Sequence, residues 1–139
     1  MIRSSYNPSP MPWTLLALGL LLVLAPPALA ARFIGVAQSD TGLSATLIVR
    51  VRLVRSKLVG RVRCKPGTLP CLFKRAKLDA TVSSTATFSG HVGNGDVDCT
   101  IDGLVTFRPR RRTVTGLEEG RYACMRADGV GDTGTFSVQ

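Results

Sequence analysis

The chain has 139 residues, 45% of them hydrophobic, and a formal net charge of +9. That length holds one small domain and excludes a core large enough to give more than marginal stability by itself. Four cysteines and a single histidine leave little material for a metal centre, and the positive charge directs attention to anionic partners.

Residues 1–30 read as a cleavable secretory signal peptide. Arg3 and the α-amino group precede an apolar run from Trp13 to Ala25, followed by Pro26-Pro27 and Ala28-Leu29-Ala30. A basic start, a short apolar stretch and an Ala-x-Ala end are the three parts of such a leader, with cleavage expected after Ala30. A membrane anchor needs about 18 apolar residues or more, and this run stops earlier at a Pro-Pro pair. The expected mature domain is therefore 31–139, secreted or periplasmic and without an anchor. Loss of Arg3 leaves 17 basic residues against 9 acidic ones, a charge of about +8. Ten of the basic residues fall between Arg50 and Lys77, where there is no acid at all.

Alternation of apolar and polar residues runs through nearly the whole mature sequence, with no sustained helical period. The first long strand is expected to turn Ala45, Leu47, Val49, Val51 and Leu53 to one side and Thr46, Ile48, Arg50 and Arg52 to the other. A turn at Val54-Arg55-Ser56-Lys57 would bring back Leu58, Gly60, Val62 and Cys64 on the buried side. That hairpin pairs Leu47 with Cys64, Val49 with Val62 and Arg50 with Arg61, and places Arg52 and Arg63 nearby on the outside.

Gly60-Arg61-Val62-Arg63-Cys64 is the first of three Gly-x-apolar-x-Cys segments; Gly95-Asp96-Val97-Asp98-Cys99 and Gly120-Arg121-Tyr122-Ala123-Cys124 are the others. With a two-residue side-chain period, each segment reads as a strand that begins at a glycine and carries its apolar residue and its cysteine inward.

Leu78 to Val92 alternates without a break, apolar or small at even positions and polar at odd ones. Fifteen residues exceed an ordinary strand, so a bend or bulge is expected near Ser83-Ser84. A four-residue loop His91-Val92-Gly93-Asn94 would pair Phe88 with Val97 and Ala86 with Cys99. A three-residue loop Leu117-Glu118-Glu119 would pair Val114 with Tyr122. Asp102-Gly103 resembles a two-residue hairpin turn, yet such a turn would move Val105 and Phe107 off the buried face. Either a bulge lies there or the strand runs straight on.

Many short strands with local turns and no helix indicate an all-β domain, a small antiparallel meander forming a barrel or a sandwich and stapled by two disulfides. The order of elements resembles that of small exported up-and-down barrels of the streptavidin and lipocalin types, although no motif of either family is present.

Four cysteines in an exported chain of this size read as two disulfides. Cys71 is the only one outside the repeated segment, and three pairings are open to sequence. The favoured one joins Cys64 to Cys71 around a Pro-Gly turn and Cys99 to Cys124 between strands. Loop-closure arithmetic gives roughly 2.5 and 3.5 kcal/mol for these two links. No zinc-ligand spacing occurs, and no metal or cofactor is expected.

Outward Arg50, Arg52, Arg61 and Arg63 form the candidate anion-binding face. Like charges opposed across strands are unfavourable, so such a cluster invites an anionic macromolecule or a membrane surface. Lys74, Arg75 and Lys77, and later Arg108, Arg110, Arg111 and Arg112, would extend it. The competing reading is a solvated basic surface that keeps an exported protein soluble. Few aromatics interleave with the basic residues, so no specific nucleic-acid motif is present.

A second candidate is the Cys64–Cys71 loop, with Lys65 or Leu69 probing a secreted protein as a protease inhibitor does; its alternative is an ordinary stapled connection. His91 is read as a surface residue, since no Gly-x-Ser-x-Gly or nucleophile–base pair surrounds it. Asp96, Asp98 and Asp102 share a strand face, but their spacing fails the calcium-loop pattern. The sequence thus points to a non-catalytic binding or structural domain, not an enzyme. Whether the strands enclose a hollow decides between an internal apolar ligand and work done by the outer surface and loops.

Overall fold

The computed structural model describes residues 30–108 and 111–139; the expected leader, apart from Ala30, lies outside the described residues. Eight antiparallel strands follow one another as β1 (Ala31–Ser39), β2 (Ser44–Val54), β3 (Lys57–Lys65), β4 (Arg75–Val82), β5 (Thr87–Gly93), β6 (Val97–Arg108), β7 (Arg111–Arg126) and β8 (Gly131–Val138). Each pairs with the next, and β1 pairs with β8, giving a closed up-and-down barrel. No helix occurs among the described residues, and none there is long and apolar enough to cross a membrane.

Closure separates an inside from an outside, and side-chain alternation sorts the residues between them. Phe33, Val49, Val51, Leu58, Val62, Leu78, Phe88, Val92, Ile101 and Leu117 are among the buried residues of the single interior. β1 was not foreseen, because Ile34 and Val36 on its outer face are each 52% exposed and blur the alternation.

The β2–β3 hairpin has the expected register, with Leu47 opposite Cys64, Val49 opposite Val62 and Arg50 opposite Arg61. Other registers differ from expectation. The Leu78–Val92 run is two strands, not one bent strand, joined at Ser83–Ala86, where Ala86 has a φ of 59°. Ser83 and Thr87 close a loop of the three residues 84–86, and a three-residue loop ending in a left-handed residue is a common hairpin connection. Here the Ser83 amide donates to the Thr87 carbonyl at 2.8 Å and the Ser83 hydroxyl bonds those of Thr85 and Thr87.

The next turn lies beyond the position expected for it. Asn94 caps it, its side-chain carbonyl accepting from the amides of Asp96 (2.8 Å) and Val97 (3.0 Å), so Val92 meets Cys99 and Phe88 meets Gly103. There is no turn at Leu117–Glu119. β7 runs through it, Val114 faces Phe107, and the irregularity is a bulge between Leu117 and Gly120 with Glu119 at φ 49°. Asp102-Gly103 is likewise a bulge within β6.

Both disulfides join the favoured partners, Cys64–Cys71 and Cys99–Cys124, consistent with an oxidising, extracellular type of environment. The second links residues directly opposite on β6 and β7. The repeated glycines, however, do not begin strands: Gly60 and Gly120 lie inside β3 and β7, and Gly95 is in a turn.

Gly60 allows β2 and β3 to approach closely, since a Cβ there would lie 1.9 Å from the Arg50 carbonyl oxygen, whereas one at Gly95 meets nothing within 4 Å. Gly60→Ala is therefore expected to cost about 1–3 kcal/mol in urea unfolding, and Gly95→Ala less than about 0.5 kcal/mol. Equal losses would show that the β2–β3 approach is not what Gly60 provides.

Candidate functional site

The outer face of β1 to β4 carries the basic residues in register. Arg32 is opposite Arg50, Arg50 opposite Arg61, and Arg61 opposite Lys77, so four cations form one row across four strands. Neighbouring strands lie about 4.8 Å apart, which sets the spacing of the row. One step along the strands, Ile34, Ile48, Arg63 and Arg75 form a second row. Arg52 falls on the other side of the first row, opposite Val59, which in turn is opposite Asp79.

All these cations are exposed, and none takes part in the ion pairs found among the described residues. Those pairs are Lys57–Asp79, His91–Asp98, Arg121–Asp102 and Arg126–Asp128. The four arginines singled out in the sequence thus share a surface, and Arg32, Arg75 and Lys77 join them. Arg32 was missed because its strand was missed. Arg108 is on β6, across the barrel from β2, and does not extend the rows; Arg110 lies outside the described residues.

Ile48 belongs to this outer face yet is only 7% exposed. Its neighbours in register are Ile34 and Arg63, and long basic side chains cover apolar surface with their stems while holding their charges in water. The Arg63 stem, directly opposite Ile48, is placed to supply such cover.

The connection between β3 and β4 folds over one end of the barrel. The Leu69 amide donates to the Ser44 carbonyl at 2.9 Å, and the Ser44 amide donates to the Thr68 hydroxyl at 2.9 Å. Leu69 is half-buried and lines the barrel cavity, while Lys65 is exposed at the end of β3. The loop therefore turns Leu69 inward and away from any partner it would probe.

Beneath the loop lies an apolar cavity of about 80 Å³. Tyr122 and Asp132 are the polar side chains in its wall. The Tyr122 hydroxyl donates to Asp132 Oδ2 at 2.7 Å and the Ser39 hydroxyl to Oδ1 at 2.5 Å. Burial, and then the hydrogen bond and charge of Asp132, push the Tyr122 phenol well above its ordinary value.

His91 is exposed, as is its partner Asp98 at 3.3 Å. Asp96, Asp98 and Asp102 do not converge: Asp96 is in a turn and Asp102 pairs with Arg121. Among the described residues no group of three or more histidines, cysteines or acids is placed to hold a metal.

No family model, curated protein or solved structure matches this chain. The residues alone carry the functional argument.

Because folding raises the Tyr122 pKa, the folded chain holds that proton more tightly than the unfolded one. The stabilisation is whole below about pH 10, the ordinary tyrosine value, and is lost as pH rises past it. The wild type is expected to lose stability more steeply above pH 10 than Tyr122→Phe, followed by urea unfolding. Asp132→Asn should move the phenolate absorbance near 295 nm to lower pH. Parallel alkaline stability profiles for wild type and Tyr122→Phe would contradict this.

Proposed function

We propose that this protein is an exported, non-catalytic binding domain whose partner is an acidic linear polymer, a sulfated or carboxylated polysaccharide, held by the cationic rows of β1 to β4. The observation that carries the reading is the row Arg32–Arg50–Arg61–Lys77, four like charges set directly opposite one another.

Such juxtaposition costs stability on each strand pair, about 0.2–1 kcal/mol, and no carboxylate among the described ion pairs offsets it. An anion supplied from outside would. Guanidinium groups suit this chemistry because they meet carboxylate or sulfate with two parallel N–H donors. The row runs across the strands of a closed barrel, so it follows a convex path. A flexible chain can follow that path, whereas a flat membrane would touch only part of it. The sparse aromatics offer nothing for bases to stack on.

The test is retention on immobilised heparin as a function of salt. Arg50→Gln/Arg61→Gln is expected to elute at clearly lower salt than Arg121→Gln/Arg126→Gln, which removes the same charge from residues already paired with acids. The first pair should also gain a few tenths of a kcal/mol of stability by relieving cross-strand repulsion. Equal elution of the two variants would mean that net charge alone governs retention. Stronger retention of the wild type on anionic vesicles than on heparin would point to a lipid surface instead.

A further inference from the structure

The interior is unevenly filled. Phe33, Leu58 and Phe88 occupy the half of the barrel where the chain ends lie, all buried. In the other half a cavity of about 80 Å³ remains, its wall combining small groups such as Ala37, Ala45 and Cys99 with larger ones such as Phe73, Leu117 and Phe136. On the scale where about 10–15 Å³ admits one water molecule, this space admits a chain of about six non-hydrogen atoms.

The polar end of the wall has one chemical sense. Ser39 and Tyr122 both spend their hydroxyl hydrogens on Asp132, so Tyr122 and Asp132 present only lone pairs to a guest. A guest with a hydroxyl or ammonium end can donate to them, while a carboxylate would bring lone pairs and charge against lone pairs and charge. Each buried side-chain nitrogen or oxygen among the described residues already has a partner, so the site is complete when empty and a donor adds to it.

We propose that the half-filled end of the barrel, under the Cys64–Cys71 loop, is a binding site for a small slender apolar molecule with a hydrogen-bond donor at one end, a short primary alcohol or amine. It is a separate site from the cationic rows and does not depend on them.

The experiment titrates the ¹⁵N-labelled oxidised protein with 1-hexanol, hexylamine and hexanoate and follows backbone amide shifts. Saturable shifts are expected at Val92, Cys99, Ile101 and Cys124 with the alcohol and the amine, and binding at least about tenfold weaker with hexanoate. Ala45→Leu fills the cavity and should abolish the shifts; Ala45→Val, a smaller change, should weaken them should the first variant not fold. Asp132→Asn should retain hexanol binding and narrow the gap to hexanoate.

Absence of saturable shifts with all three probes would overturn the site. So would shifts that survive the filled cavity. Equal binding of hexanoate and hexanol would overturn the assigned polarity of the guest.

Discussion

The β1–β8 pairing removes the last free edge of the sheet and makes inside and outside a global property of every strand. A Gly134 Cβ would lie 2.1 Å from the Gln38 carbonyl oxygen, so at that point of the seam the strands meet more closely than a side chain would allow. Once it is closed, a shift of register by one residue anywhere would turn apolar side chains to water and arginines inward. The basic rows and the apolar cavity are the two products of that separation, assembled from alternate residues of the same strands.

This also explains what could be read beforehand. Which way a side chain points depends on local alternation, and so Val49, Val62, Leu78, Phe88, Cys99 and Val138 were legible as interior residues. Which strand meets which depends on turns, and turns depend on hydrogen bonds that alternation does not reveal. The Phe88 hairpin shows the difference. Its true partner is Gly103 and not Val97, a displacement by an even number of residues, so the inward set survived while the register was wrong. Asn94 decides the matter by capping a turn later in the chain. At Leu117–Glu119 the left-handed Glu119 does locally what a turn does, but as a bulge in a continuing strand. The basic face was legible at Arg50, Arg52, Arg61 and Arg63, with Arg75 and Lys77 expected to extend it; Arg32 joined it only through a pairing that no alternation pattern contains. The Tyr122–Asp132–Ser39 cluster brings together three separate strands and left no local signal.

The two disulfides lie where the core is thinnest. Both half-cystine pairs line the cavity, and no bond of this kind is found in the filled half. An apolar void of about 80 Å³ costs on the order of 2 kcal/mol at roughly 24 cal/mol per Å³. The two links together offset roughly 6 kcal/mol by the loop-closure argument. The staples therefore outweigh the hollow, and the barrel keeps an unfilled end that packing alone would leave costly. Cys64–Cys71 also ties the covering loop to β3, so closure of that end and stabilisation of it come from one bond.

The outer rows follow the same logic of tolerated cost. A sheet that needed only solubility would intersperse acids among Arg32, Arg50, Arg61 and Lys77, since opposed unlike charges stabilise neighbouring strands and opposed like charges do not. Acids are available and are used in this way elsewhere: Asp102 faces Arg121 across β6 and β7 at 3.0 Å. The row itself holds no such pair, although Lys57 meets Asp79 at 3.7 Å further along β3 and β4. Ile48 is buried on that side, and a long basic stem that covered it would have less freedom to lose when an anion arrives. Under the proposed reading, preparation of this kind would lower the entropy cost of binding an acidic chain.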